Sequence, residues 1–411
     1  MERNQKIVKI GIIIAALKKA IFIGIFIAAP FLSYSQEKVN AIPDSEIWNL
    51  DELYRIPNTF SAEKYTEYKV SGVRALLYES VPFGGKPTKV FAYYSAPSGS
   101  IPQGGWPAVV LVHGGDGTAY ANYVKMWNSW GYAAISMDLY GNLPLLSVKW
   151  KERPHLDGGW TMGENFTNRD ESWQFHSIAQ IVLAHSLLRS FPEVNPEKTG
   201  VVGTSWGGVH ASVVAAIDSR FKFAVIVYSS VFETSETKMR WWDPGRFIAS
   251  IRIPTLWVKG TTDIHFTNRN WQYSVNICGN SPISSLVVGL GHSDNGQIYS
   301  LNRRFADQII KGVEPLPKVG KIERQGKRVS ASVISARRII KAELCYTCDV
   351  GPDPRQIWKT LPALFEDGKV SAELPDGVTF YFLNVFDEPV FSGEQEWPVS
   401  SEFIPYKSEK N

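Results

Sequence analysis

The run Gly200-Val201-Val202-Gly203-Thr204-Ser205-Trp206-Gly207-Gly208-Val209 decides the fold of this chain. The apolar stretch ending at Val202 is too short for a helix and reads as a buried strand, while residues 209–217 continue as a helix of small residues. Between them, Gly-x-Ser-x-Gly makes a sharp strand-to-helix turn that lifts the Ser205 oxygen clear of the backbone. Its glycines let adjacent backbone approach without a Cβ clash. Five residues with three fixed are common by chance, so the weight lies in the placement between strand and helix.

Working outward, short apolar runs at 108–112, 133–137, 224–228, 255–258 and 285–288 alternate with helical stretches. Residues 173–188 carry apolar side chains at helical spacing, and 302–310 closes the pattern. This rhythm predicts an α/β domain with a mostly parallel central sheet and helices on both faces. An antiparallel hairpin (73–80 and 88–96, joined by Pro-Phe-Gly-Gly-Lys-Pro) precedes it, after a polar, irregular stretch over 36–66 that reads as a surface arm. After Gly312 a Pro-containing linker leads to short strands with turns at Asp367-Gly368 and Asp376-Gly377, which predicts a C-terminal all-β, sandwich-like domain. The expected divisions are 1–35, 36–315 and 316–411.

A serine hydroxyl is a poor nucleophile at neutral pH and needs a base, itself oriented by an acid. Asp263 follows the strand at 255–258 and His292 follows the strand at 285–288, which puts both on the rim that carries Ser205. The plainer alternatives are a surface-loop carboxylate and a structural histidine. Asp294 and His265 are the nearest competitors, and both lack the immediate post-strand position. Charge developing on a tetrahedral intermediate needs backbone N–H donors. The loop His113-Gly114-Gly115-Asp116-Gly117 after the first core strand supplies one candidate donor, at Gly114, Gly115 or Asp116, and the Trp206 amide supplies another.

Residues 107–312 resemble the α/β-hydrolase superfamily, nearest to its acetyl xylan esterase and dienelactone hydrolase-like branch. The resemblance rests on His113-Gly-Gly, Asp138-Leu-Tyr-Gly141, Gly203-Thr-Ser-Trp-Gly-Gly208, Gly260-Thr-Thr-Asp263 and Gly291-His292. It implies an α/β-hydrolase fold, a catalytic Ser205, Asp263 and His292, and an oxyanion hole from Gly114, Gly115 and Trp206. Dienelactone hydrolases proper use a cysteine where this chain has Ser205, so their reaction is not implied. Prolyl oligopeptidase-type peptidases share the Ser-x-Gly-Gly pattern, but the roughly 70 residues between signal and core are too few for a propeller of several four-stranded blades.

The 411 residues include 43 Lys and Arg against 40 Asp and Glu, a net charge of +3, and nothing in their distribution calls for nucleic acid. Residues 1–35 carry basic groups, then an apolar run from 20 to 32, then Ser33-Tyr34-Ser35, which reads as a cleaved export signal. An extracytoplasmic location, periplasmic or secreted, follows, with no stable membrane insertion after cleavage. Cys345 and Cys348 are spaced too widely along an extended strand to pair without a tight turn. No metal or other cofactor is expected. Trp160, Trp241 and Trp242 lie in connections after core strands and are candidates to stack on a sugar ring, or else to pack the lid. The expected activity is hydrolysis of carboxylic esters through an acyl-serine, with an acylated polysaccharide or oligosaccharide as partner. A serine peptidase is the same-fold rival, and a non-catalytic glycan-binding protein is the rival of another class.

Overall fold

The computed structural model describes residues 47–62, 64–156, 168–232, 242–351 and 353–406. Residues 1–35, read above as an export signal, lie outside these residues, as do Trp160 and Trp241. The core is a nine-stranded mixed sheet in the order β1-β2-β3-β5-β4-β6-β7-β8-β9. Its strands are β1 (Thr59–Ser61), β2 (Arg74–Phe83), β3 (Lys86–Ser95), β4 (Trp106–Val112), β5 (Ala133–Met137), β6 (Val194–Thr204), β7 (Phe223–Val227), β8 (Thr255–Gly260) and β9 (Ile283–Val287). From β5 to β9 every neighbouring pair is parallel. The hairpin β2–β3 joins antiparallel to β5.

Alternation along the strands divides the core in two. Ala108, Val110 and Val112 of β4 face one cluster and Val109 and Leu111 face the other. Helices α2 (Trp173–Ser190) and α3 (Trp206–Ile217) cover the first face, and α1 (Ala121–Ser129) and α5 (Ser300–Ile310) cover the second. Each fully buried Val, Leu or Ile contributes about 1.5–3 kcal/mol to this packing.

Helix α2 is buried at nearly every position, because a further layer covers the side turned away from the sheet. Residues 47–54 supply that layer, so this part of the stretch read as a surface arm is core instead. Ile47, Trp48 and Leu53 are buried, the Trp48 indole donates to the Phe175 carbonyl at 3.1 Å, and the Ser186 hydroxyl donates to the Leu53 carbonyl at 2.8 Å. An apolar outer face on α2 requires such cover, and a polar local sequence hides the few anchoring residues that provide it.

Helix α4 (Asn268–Ile277), after β8, completes the main elements. Beyond Lys311 the chain forms a separate β-rich region of two antiparallel sheets. One runs β10-β12-β16-β15 and the other β14-β13-β17-β18, with β11 paired to β12 and β19 to β17. The strands are β10 (Lys318–Val319), β11 (Glu323–Gln325), β12 (Arg328–Ile334), β13 (Ile339–Thr347), β14 (Lys359–Pro362), β15 (Leu364–Glu366), β16 (Lys369–Glu373), β17 (Phe380–Asp387), β18 (Val399–Ser400) and β19 (Ile404–Pro405). The Asp367-Gly368 turn joins β15 to β16 with both residues at positive φ, as a tight hairpin demands.

Strand β17 is buried along its full length because both of its faces are covered. Phe380 and Phe382 join the α2/α3 side of the core, whereas Tyr381 and Leu383 join the other cluster. The β-rich region also closes the open edge of β9. Its Ser400 hydroxyl accepts from the Leu286 N–H at 2.7 Å, and the Asn384 amide donates to the Leu286 carbonyl at 3.2 Å. A buried bidentate pair, Arg304 with Asp387 at 2.6 and 3.0 Å, lies at the same junction. Cys278, Cys345 and Cys348 are all free thiols.

Candidate active site

Ser205 sits between β6 and α3 with φ +59° and ψ −125°, a backbone conformation that costs a non-glycine residue about 1–3 kcal/mol. The surroundings impose it. The Ser205 N–H donates to the Val227 carbonyl at 2.8 Å, and the Gly208 N–H returns to the Ser205 carbonyl at 2.8 Å. A Cβ at Gly203 would fall 2.1 Å from the Gly207 carbonyl oxygen, and one at Gly207 would fall 2.2 Å from the Val112 carbonyl oxygen. Glycine is therefore required at both positions by packing rather than by dihedral angle.

The loop after β4 passes directly over this turn. A Cβ on Gly114 would lie 2.8 Å from Ser205 Cβ and 3.4 Å from its hydroxyl oxygen, and one on Gly115 would lie 3.1 Å from the Trp206 ring. As the first residue of α3, Trp206 has no acceptor within the helix for its N–H. Asp116, the third candidate donor, has its N–H on the Tyr140 hydroxyl at 3.3 Å. Gly114, Gly115 and Trp206 thus surround the serine, and the Asp116 amide points elsewhere.

Two side chains hold this loop. The Leu139 N–H donates to His113 Nε2 at 2.9 Å, so the ring proton sits on Nδ1 and donates to the Gly114 carbonyl at 2.7 Å. Burial pushes the His113 pKa down to about 3, which keeps the ring neutral in that tautomer. Arg153 donates to the carbonyls of Gly117, Asp116 and Leu145, the last two at 2.7 and 3.0 Å. Sequence reasoning passed over Arg153 because nothing local marks a residue that acts 36 positions upstream.

His292 and Asp263 are paired, with Nδ1 3.1 Å from Oδ1. The Asp263 side chain is fully buried, and the His292 side chain keeps 16% of its surface exposed. Burial alone would raise the Asp263 carboxyl, but the His292 hydrogen bond, the nearby Lys259 ammonium and the His265 N–H together hold it below its ordinary value. An Nδ1 proton directed at a carboxylate leaves Nε2 as the open position of the ring. His265 donates its backbone N–H to Asp263 at 2.8 Å and packs edge-on to His292, with ring centroids 4.5 Å apart. Asp294, the other competitor, is exposed, and its carbonyl accepts from the Tyr123 hydroxyl at 3.1 Å.

The His292 loop is tied down beside the serine turn. Residues Asp294–Ile298 form a 3-10 turn in which a Cβ at Gly296 would fall 2.6 Å from the Thr204 hydroxyl oxygen. The Gln297 amide donates to the Val112 carbonyl at 2.8 Å, and the Trp127 indole donates to the Gln297 carbonyl at 3.0 Å. Tyr228, one residue past the carbonyl that fixes Ser205, packs against His292 with ring centroids 5.0 Å apart. Among the described residues no hydrogen bond joins the Ser205 hydroxyl to His292, although both lie on this one rim.

Trp242 is 1% exposed and packs on Trp206 and Phe232 at 5.6 and 5.5 Å. A ring buried that far has no free face for a sugar, so the structure places it as a support beneath Trp206 rather than as a lining residue. An open cleft of about 510 Å³ lies beside the site, bounded by Asp116 of the glycine loop, Tyr120, Tyr123, Leu146 and Asp294. Tyr120 and Tyr123 pack together with centroids 4.6 Å apart. A second open cavity of about 580 Å³ lies at the β1 edge of the sheet. Among the described residues no group of His, Cys, Asp and Glu side chains is placed to hold a metal ion, and no helix is long and apolar enough to cross a membrane.

The acetyl xylan esterase (AXE1) family model matches residues 33–234, which includes Ser205 and stops short of Asp263 and His292. Among solved structures, the acetyl xylan esterase from Paenibacillus sp. R4 is similar over 68% of this chain and 96% of its own, at 20% identity with a TM-score of 0.50. Acetyl xylan esterase 1 from Thermoanaerobacterium sp. JW/SL YS485 matches over 65% of this chain and 93% of its own, at 16% identity and a TM-score of 0.49. A putative dienelactone hydrolase from Klebsiella pneumoniae subsp. pneumoniae MGH 78578 matches over 57% and 95%, at 15% identity and a TM-score of 0.40.

Proposed function

From the premise that this chain has an α/β-hydrolase-superfamily fold related to the acetyl xylan esterase and dienelactone-hydrolase-type esterases, we propose that it is an exported serine hydrolase of carboxylic esters. The observation that carries the reading is Ser205 itself, a non-glycine residue held at φ +59° where β6 turns into α3. A strained serine at the carboxyl end of a central parallel strand is the geometry that exposes a nucleophile.

In the proposed reaction His292 Nε2 takes the Ser205 proton as the oxygen attacks the ester carbonyl, and contacts of this kind tighten when substrate binds. Asp263 holds the imidazole tautomer and stabilises its cation. The N–H groups of Trp206 and of Gly114 or Gly115 receive the oxyanion. His292 then donates its proton to the departing alkoxide and leaves an acyl group on Ser205. Water deprotonated by His292 removes that acyl group and regenerates the hydroxyl.

The proposed substrate is an acetylated or similarly acylated polysaccharide or oligosaccharide. Supporting it are the match to the acetyl xylan esterase family, the similarity to the Paenibacillus sp. R4 acetyl xylan esterase, and the cleft beside the glycine loop, where Tyr120 offers a partly exposed ring and Asp116 and Asp294 offer acceptors for sugar hydroxyls. Trp160 and Trp241 remain candidates for the same contact. Residues 1–35 act in this reading as an export signal and place the enzyme outside the cytoplasm.

A fluorophosphonate probe tests the nucleophile directly. The wild-type chain is expected to label on Ser205 and the Ser205→Ala variant not to label; labelling that survives the substitution refutes the assignment. Acetate release measured across a panel of acetylated glycans tests the substrate class, and a negative result for every glycan alongside hydrolysis of p-nitrophenyl acetate rejects the carbohydrate assignment alone.

A further inference from the structure

Behind the Asp263 carboxylate lies a chain of buried polar groups that leads out of the hydrolase core into the C-terminal β-region. Asp263 Oδ1 serves His292 and the His265 N–H, but Oδ2 is buried and has no hydrogen-bond partner among the described residues. Lys259, four residues upstream on β8, places its Nζ 3.9 Å from Oδ2 with the side chain sealed from solvent. Its ammonium donates to the Gly260 carbonyl at 3.0 Å and to Asn268 Oδ1 at 2.9 Å. Asn268 opens α4, and its own N–H, which has no acceptor inside the helix, donates to the Asp353 carboxylate. Asp353 belongs to the segment that follows β13, 85 residues further along, and is 8% exposed.

The charges alternate along this path: Asp353 negative, Lys259 positive, Asp263 negative. Burial pushes the Lys259 pKa down to about 8, while the carboxylates of Asp263 and Asp353 oppose that shift, so the ammonium persists at neutral pH. A lone buried carboxylate with one oxygen unsatisfied would take up a proton sooner than stay charged. Asp263 needs its charge to orient His292 and to stabilise the imidazolium.

We infer that Lys259 and Asp353 are positioning residues of the catalytic site, and that the C-terminal β-region completes that site by fixing Lys259 behind Asp263 through Asn268. The inference rests on the reading of Ser205, His292 and Asp263 as the reacting set. It assigns the β-region a part in turnover beyond closing the β9 edge.

The test is steady-state hydrolysis of p-nitrophenyl acetate by full-length variants from pH 5 to pH 9, with folding checked by circular dichroism. Lys259→Met is expected to lower kcat by about 10- to 100-fold, the scale of a small misplacement of a reacting group. Its KM should stay within about twofold, because no substrate contact is lost. The groups facing Asp263 are His292, Lys259, His265 and Tyr228. Removing Lys259, whose ammonium is charged on the acid side of pH 8, makes the Asp263–His292 pair bind its proton at higher pH, so the acid limb of kcat/KM moves up. Asp353→Ala should lower kcat in the same direction by less, because Lys259 remains and only its fixing through Asn268 is lost, and Asp353→Asn, whose amide oxygen still accepts from Asn268, should recover part of the loss. Asp376→Asn, in an exposed pair with Lys327, should behave as wild type.

Since Lys259→Met leaves a buried carboxylate uncompensated and can unfold the chain, the two Asp353 variants carry the test in that event. Folded Lys259→Met and Asp353→Ala proteins with wild-type kcat, the former with an unmoved acid limb, overturn the inference. Turnover that survives Ser205→Ala refutes the triad instead. Nitrogen-15 NMR of the His292 ring then still decides the network, because proton uptake by the pair at an unchanged pH in Lys259→Met rejects it.

Discussion

Two hydroxyl–histidine–aspartate sets lie along β6, and the proposed reading gives chemistry to only one of them. At the carboxyl end are Ser205, His292 and Asp263. Midway along the strand, the two nitrogens of His185 lie 2.8 Å from Asp218 Oδ2 and 2.8 Å from the Thr199 hydroxyl, the connectivity expected of a catalytic relay. His185 and Asp218 have no exposed surface, Phe221 stacks on the imidazole at 3.6 Å, and Arg220 binds Asp218 through two nitrogens. Burial would raise the Asp218 carboxyl, yet the neighbouring His185 and Arg220 hold it below its ordinary value, and burial lowers the His185 pKa. Hydrogen-bond connectivity therefore does not make a reactive site. Ser205 keeps a partly exposed hydroxyl, and His292 keeps an open ring nitrogen at the rim where the parallel strands end.

The widest separation between the two regions is expected from their hydroxyls. Ser205→Ala should lower kcat/KM for p-nitrophenyl acetate by about 10⁴-fold or more while leaving the urea midpoint almost unchanged. Thr199→Val should do the reverse: activity per folded molecule persists and stability falls by about 1–3 kcal/mol, because His185 loses a buried partner. A Thr199→Val enzyme that is stable but inactive would abolish the distinction.

The carboxylates sharpen it. Asp263→Asn is expected to cut kcat by about 10⁴-fold, since the amide no longer enforces the tautomer. Asp218→Asn should instead cost about 3–5 kcal/mol of stability by leaving the Arg220 charge against a neutral partner, with kcat measured on the folded fraction unchanged.

Arg153 tests whether the candidate oxyanion loop depends on its clamp. Arg153→Lys can reach one carbonyl where the guanidinium reaches three, and kcat should fall by roughly 10-fold, less than the loss of an oxyanion donor itself.

The last expectation needs no substitution and is graded with pH. His113, His185 and His210 are buried, and each has its pKa lowered by burial, so their folded values lie below the unfolded one. The unfolded chain binds these protons first as pH falls. Each such histidine therefore removes about 1.4 kcal/mol of stability per pH unit below about pH 6.5, down to its own folded value. Asp218, held low, adds a further loss below about pH 4. Urea midpoints should drop steadily from pH 7 to pH 4, and a flat profile would mean that these rings are protonated in the folded state.

The parallel strands and the serine turn were legible because their signals are local. Residues 133–137 form β5 as expected, and the expected stretch 173–188 is α2 with two residues added. Asp263 and His292 were legible as residues that follow strands. Helices α1 and α4 were not drawn, since their sparse apolar positions lie among polar residues and pay out only in contact with partners elsewhere in the chain. The same holds for Trp48, whose indole finds its acceptor 127 residues away.

Periodicity and the glycine spacing around Ser205 by themselves determined the parallel core strands and the turn, because each depends on neighbours within a few residues. Only the tertiary structure decided that Arg153 clamps the glycine loop, that Trp242 is sealed under Trp206, and that a buried lysine and a distant carboxylate stand behind Asp263. Those outcomes depend on which surfaces lose water together, and burial is a property of the packed chain that no short segment carries.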